Sequence, residues 1–257
     1  MKKLPMNYDN PWIALNCVSL LNIITTILTN LKKTSLSLKF SVWPMALSMT
    51  MMILLMLMWF RDSARESLIE SNDSKLHNSK MAVLLFLLTE AFFFLSFFWM
   101  FTSTVLAPEL SFWPPMNLSL PSFIGAPSLN TILLVASSAT VTLSIHEKYS
   151  TYPLSLIWLA TTLVLSLFFM VIQYMEYTTL TFNFTSGIGG SIFFMATGFH
   201  GTHVILGTLI LLSCTYLMYM KFYTNNSLMS FELAAWYWHF VDAVWLMLYT
   251  IFYCWGH

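Results

Sequence analysis

Charge is scarce in this chain. Of its 257 residues, 9% are Asp, Glu, Lys or Arg and 58% are hydrophobic, whereas soluble domains carry about 25% charge. That balance excludes a water-soluble domain and requires an integral membrane protein. Acids and bases cancel to a formal net charge of zero, so no basic surface points to nucleic acid. Eight glycines and nine prolines are too few for a fibrous or disordered class. The three cysteines, Cys17, Cys214 and Cys254, lie in apolar runs without CxxC spacing. They read as buried structural thiols, not as a disulfide framework or a metal site. A Gly-rich phosphate loop, GxSxG, HExxH and CxxCH are all missing, which leaves no recognisable catalytic apparatus in the chain itself. Lys2 and Lys3 are followed by Pro5, Asn7 and Asp9, which is not the pattern of a cleavable signal peptide. The expectation is direct insertion by the chain's own spans, as in organelle-encoded or bacterial synthesis.

What is present is a series of apolar runs, each about 20 residues long. They extend from Trp12 to Leu31, Phe40 to Phe60, Met81 to Leu106, Leu129 to Ile145, Pro153 to Tyr174, Gly189 to Tyr219 and Phe231 to Tyr253. The sixth would reach about 45 Å as a helix, so it should tilt or project. No alternating barrel pattern occurs, so the expected fold is all-α, an integral membrane bundle of seven transmembrane helices. Residues 1–257 read as one membrane domain, with two spans at 12–60, a polar connector at 61–80 and five spans at 81–257. Five prolines between Ala107 and Pro127 predict an irregular surface loop with Trp113 at the interface. Proline is absent after Pro153, so the last helices should be long and unkinked. With seven spans, Lys2, Lys3, Arg61, Arg65, Lys75, Lys80, Lys148 and Lys221 fall on the N-terminal side, and only Lys32, Lys33 and Lys39 on the other. The N-terminus should therefore face the positive-inside compartment.

Ionisable groups within these runs cost roughly 2.5–3.5 kcal/mol each on insertion scales, which makes them candidate functional residues. Glu90 sits about 15 Å into the third span, either as a proton-active or lipid-facing carboxylate or as a protonated acid bonded inside the bundle. His200 and His203, at i and i+3, share a helix face. They could chelate a metal, or pack where Gly198, Gly201 and Gly207 admit a neighbouring helix; packing is favoured. Glu232, Trp236, His239 and Ala243 form a polar stripe, with Asp242 in reach of His239 for an ion pair. The stripe reads as a register-fixing contact or, less favoured, a proton relay. Trp236, Tyr237 and Trp238 read as an interfacial aromatic belt. Arg61 and Arg65 beside the membrane surface suit lipid phosphates or a salt-bridged face with Asp62 and Glu66.

Longer motifs carry a resemblance. They include Trp59-x-Arg61-Asp62-x-x-Arg65-Glu66-Ser67, Thr89-Glu90-x-x-Phe93-Phe94, Trp113-Pro114-Pro115, Ala196-Thr197-Gly198-Phe199-His200-Gly201-x-His203-Val204 and Trp236-Tyr237-Trp238-His239-Phe240-Val241-Asp242. Over essentially its whole length the chain resembles subunit III of the mitochondrial cytochrome c oxidases. The resemblance implies seven helices, the first two separated from the other five by a lipid-filled cleft. It implies a multi-pass protein of the mitochondrial inner membrane, N-terminus in the matrix and C-terminus in the intermembrane space. It further implies no catalytic residue and no metal in this chain, with haem a and copper in partner subunits. Subunit I would be the main contact, with subunit II and accessory subunits beside it. Bound phospholipid would meet Trp59, Arg61, Arg65, Glu66 and Lys221, and Glu90 would be the family's buried carboxylate. An arginine common near the end of the sixth helix falls on Met218, leaving Lys221 as the nearby cation. The role implied is a non-redox subunit that stabilises subunit I and supports proton uptake during oxygen reduction. A stand-alone proton or ion carrier using Glu90, His200, His203 and Asp242, or a membrane haem protein using His200 or His239, are the rival readings.

Overall fold

The computed structural model describes residues 11–35, 43–69, 73–106, 120–148, 152–221 and 229–255. Seven α-helices occur among them, and no strand: α1 (Trp12–Ser35), α2 (Trp43–Ile69), α3 (Asp73–Leu106), α4 (Ala126–Glu147), α5 (Tyr152–Thr179), α6 (Ile188–Tyr219) and α7 (Met229–Leu248). The first six are long and apolar enough to cross a membrane. The seventh is diluted by Glu232, His239, Asp242 and its tryptophans, and it is largely covered by protein, with Trp238 and Trp245 at 1% and 0% exposure. A helix hidden from lipid can carry such residues. Regular helix was expected as far as Tyr253, but from Tyr249 to Cys254 the turns widen into a π-helix. The apolar runs also understate several helices, α2 and α3 most of all. α2 continues through Arg61 to Ile69 and α3 starts at Asp73, because Arg, Ala, Glu and Leu in the polar connector are good helix formers. Most of the proline-rich loop, residues 107–119 with Trp113, lies outside the described residues.

The chain divides into two units, Met1–Lys75 and Leu76–His257. In the first, α1 and α2 pair. The only buried described residues there are small and polar: Asn16, Ser19, Asn30 and Ser48. Large aliphatic side chains such as Leu21, Leu31, Leu47 and Leu57 point outward. This is the inverse of a soluble hairpin, since lipid rewards outward leucines and close helix contact favours small residues. The Trp12 indole donates to Asp62 Oδ2 at 3.1 Å, fixing the start of α1 against the far part of α2.

In the second unit the core is built on a seven-residue rhythm. The buried positions of α5 are Ser155, Leu159, Thr162, Ser166, Phe169, Gln173 and Glu176. Those of α4 include Asn130, Leu134, Ser137, Val141 and Ser144. Steps alternating between three and four residues keep a seam facing its partner. Ser144 Oγ donates to the Ser155 carbonyl at 2.8 Å and Ser155 Oγ to the Ser144 carbonyl at 2.6 Å. The Thr140 and Thr162 hydroxyls lie 2.9 Å apart. α7 is stitched to α4 by its indoles, Trp238 to Ser137 Oγ at 3.0 Å and Trp245 to Thr131 Oγ at 3.1 Å. α3 meets α6 and α7 through Phe94, which packs on Phe199 and Phe240. The turn into α6 uses Gly187 at φ 130°, a conformation that disfavours any side chain.

Candidate functional site

α3 and α6 bring together two residues 113 positions apart: Glu90 Oε2 lies 3.2 Å from His203 Nε2. Glu90 is half-buried and His203 is buried. His203 Nδ1 is 2.8 Å from the Phe199 carbonyl oxygen. A carbonyl only accepts, so Nδ1 carries a hydrogen and Nε2 is the atom whose proton is negotiable. Between Glu90 and Nε2 the neutral pair and the ion pair then contain the same single proton. The imidazole is held in place from several sides. Phe94 and Phe199 approach it edge-on at 5.4 and 4.6 Å, and Tyr237 stacks at 6.2 Å and 17°.

His200 does not join this pair. It is 1% exposed and its ring lies against Phe169 and Trp245, at 6.0 and 5.3 Å. Neither of its ring nitrogens has a hydrogen-bond partner. The shared face therefore splits, with His203 toward α3 and His200 among α5 and α7, so the two rings do not converge on one metal. Among the described residues no group of three or more His, Cys, Asp or Glu is placed to hold one. The expected glycine seam reduces to a single position. A Cβ on Gly207 would meet Trp238 Cε3 at 2.9 Å, whereas one on Gly198 or Gly201 would meet nothing within 4 Å.

His239 and Asp242 do not form the expected ion pair. His239 Nδ1 lies 2.6 Å from Ser138 Oγ on α4, and the same hydroxyl faces the Asp242 carboxyl, whose Oδ1 is buried without a partner. Three residues apart on α7, the two side chains both reach α4 instead of each other. Tyr237 and Trp238 are core residues at 7% and 1% exposure, with only Trp236 half-buried, so they are no interfacial belt. Of the cysteines only Cys214 is buried, and Cys17 and Cys254 are exposed; lipid-facing positions accept a thiol as readily as a core does.

At the end of α2, Arg61 Nε donates to Asp62 Oδ1 at 2.9 Å, which engages one of the five guanidinium N–H groups. Trp59 is half-buried beside it. The side chains of Arg65 and Glu66 lie outside the described residues. Lys221 is exposed and closes α6 in a left-handed conformation, φ 56°, its N–H donating to the Met218 carbonyl at 2.8 Å. Met218 is fully buried, with its sulfur 3.5 Å from Ser155 Oγ, so that position faces the core and not a phosphate. Beyond the spans, Lys148 is half-buried just past α4. Burial pulls its ammonium down to about 8, against the opposing pull of the Glu232 carboxylate.

Sequence reasoning missed Glu176. The apolar run stops at Tyr174, yet α5 continues to Thr179 and leaves Glu176 4% exposed. Tyr253 OH donates to its Oε1 at 2.7 Å. The signal that could have found it is the rhythm of the α5 seam, on which Glu176 is the next step after Gln173.

The family model for cytochrome c oxidase subunit III matches residues 4–257. The chain belongs to that family. Among its relatives, the cytochrome c oxidase subunit 3 of Struthio camelus is 40% identical over 227 residues, covering 84% of this chain and 85% of the relative. The subunit 3 of Locusta migratoria is 40% identical over 216 residues, 82% of each chain. That of Danio rerio is 41% identical over 216 residues, 82% of this chain and 83% of the relative. The match to subunit III takes in every helix described above.

Proposed function

We propose that this chain is a non-redox core subunit of cytochrome c oxidase that holds a transferable proton at Glu90 and His203 and supports proton uptake by a partner subunit. Family membership supports the place in the oxidase complex. The observation that carries the proton reading is the 3.2 Å contact between Glu90 and His203, with the other ring nitrogen committed to a backbone carbonyl. Such a pair passes a proton along a single hydrogen bond without moving a helix. It can take up a second proton, giving acid plus imidazolium, or release its one proton, giving carboxylate plus neutral imidazole. Haem a and copper belong to the partner subunits, with subunit I the main contact and subunit II and accessory subunits beyond it. The residues of this chain supply packing, bound lipid and the proton pair, and no catalytic centre. Phospholipid headgroups engage Arg61, whose guanidinium keeps further donors beyond the one given to Asp62, together with Trp59, Arg65, Glu66 and Lys221. The protein lies in the mitochondrial inner membrane, and the Lys and Arg distribution supports the N-terminus in the matrix.

The test is Glu90→Gln in the intact oxidase. The amide still donates to Nε2, so the chain should assemble and copurify with the haem-copper subunits. Proton uptake should slow, or inactivation during turnover should quicken, because the pair has lost its titratable oxygen. A variant with wild-type proton uptake and wild-type lifetime would refute the role.

A further inference from the structure

A second polar cluster lies among α4, α5 and the π-helix. Asn130 is 0%, Gln173 7%, Glu176 4% and Tyr253 0% exposed. Two hydrogen bonds link them: Asn130 Nδ2 donates to Gln173 Oε1 at 3.0 Å, and Tyr253 OH to Glu176 Oε1 at 2.7 Å. The Gln173 amide N–H is turned toward the Tyr253 hydroxyl oxygen without completing a hydrogen bond to it. Gln173 and Glu176, at i and i+3, share one face of α5. Three buried atoms in the cluster keep no hydrogen bond: Asn130 Oδ1, Gln173 Nε2 and Glu176 Oε2. Exchanging O and N on both amides preserves their mutual bond and still leaves one donor and one acceptor over. Aromatic rings wall the place off. Tyr253 lies 5.7 Å from Phe193 and 6.1 Å from Trp245, and Phe169, one turn before Gln173, lies 4.9 Å from Trp245.

Unsatisfied polar atoms cost free energy in a bilayer, where no solvent can reach them. Three in one cluster, from residues almost wholly hidden, therefore call for a ligand that both gives and takes hydrogen bonds. A bare cation cannot accept from the amide N–H, and an anion would meet the carboxyl and the amide oxygen. Water fits that chemistry, because it accepts from an amide N–H and donates to amide and carboxylate oxygens, within the two to four partners typical of buried water.

We propose that Asn130, Gln173 and Glu176 form a built-in water-binding site inside the α4–α5 seam, with Tyr253 holding Glu176 in position. The site hydrates a second carboxyl group of this chain, one that shares no contact with the Glu90 and His203 pair and does not depend on its role. Tyr253, which donates to Glu176, is itself flanked by the rings of Phe193 and Trp245.

The experiment is a high-resolution electron-microscopy map of the intact oxidase, wild type and with Glu176→Gln and Asn130→Leu. The expected result is ordered water density within hydrogen-bond reach of Glu176 Oε2 and the Gln173 amide. It should be retained in Glu176→Gln, whose amide still bonds water, and lost in Asn130→Leu. A wild-type map in which the three side chains close directly on one another, with no density between them, overturns the proposal even if neither variant assembles. Density that persists unchanged in Asn130→Leu also overturns it as drawn. Neither result bears on the Glu90 variant.

Discussion

Gly207→Ala is the sharpest perturbation that the packing of α6 on α7 allows. The added Cβ would lie 2.9 Å from Trp238 Cε3, 3.0 Å from Cζ3 and 3.3 Å from Tyr237 Cε1, closer than carbon atoms pack. Trp238 cannot easily yield, being 1% exposed and tied through its indole to Ser137 Oγ at 3.0 Å. Overpacking of this kind costs about 1–3 kcal/mol, offset by the roughly 0.5–1 kcal/mol that Ala gains over Gly within a helix. The expected net loss is centred on about 1 kcal/mol and reaches at most about 2.5 kcal/mol, so the central expectation is roughly 5–10-fold in a folded-to-unfolded ratio. The measurement is retention of this chain in the purified oxidase over a temperature series, read on native gels. Trp238→Phe removes the clashing edge, so Gly207→Ala should cost much less in that background, and the double-mutant cycle isolates the contact. Equal losses in both backgrounds would refute the argument from ring contact. So would a Gly207→Ala variant as heat-stable as wild type.

Two further outcomes follow from buried groups. His200→Phe removes an imidazole whose nitrogens have no partner and leaves a ring against Phe169 and Trp245; stability should hold or rise, by up to about 1–3 kcal/mol for the unmet polar group, and loss of assembly on native gels would show that the nitrogens are needed. Lys148, at about 8 against an ordinary value of 10.5, releases its proton in the folded state before it does so in the unfolded one, so its burial penalty is full below about 8 and fades as the pH rises toward 10.5. The stability of wild type relative to Lys148→Met should therefore increase with pH across that window, modestly because the group is partly solvated; thermal melting at the two ends of the window checks it, and a difference that is flat or falls with pH refutes it.

The spans were legible because lipid thickness imposes a length and lipid chemistry imposes an apolar composition. α6, read as Gly189 to Tyr219, is observed as Ile188–Tyr219. Where that signal ended, the reading ended too early. Arg61 to Ile69 is polar but helix-forming, so a hydropathy criterion stops while the backbone continues. Glu176 fell outside for the same reason, although the three-and-four spacing from Ser155 through Gln173 already marked its position. The serine seam was on view as well, but Ser and Thr register as neutral on a hydropathy reading, and only their periodicity separates a contact face from a lipid face. Partners were harder. Glu90 and His203 were each marked by the cost of ionisable groups in lipid, yet nothing local in either span encodes a contact across 113 residues. The same cost argument, carried into three dimensions, sorts what was found. Glu90, His203 and His239 all meet a polar atom on another helix, which is what the bilayer demands of them. His200, Asp242 and the Asn130, Gln173 and Glu176 cluster retain unmet atoms. Inside a membrane bundle the unmet nitrogens of His200 are a cost that an apolar ring would relieve, whereas the clustered donor and acceptors of Asn130, Gln173 and Glu176 mark a place for one ligand that both gives and takes hydrogen bonds.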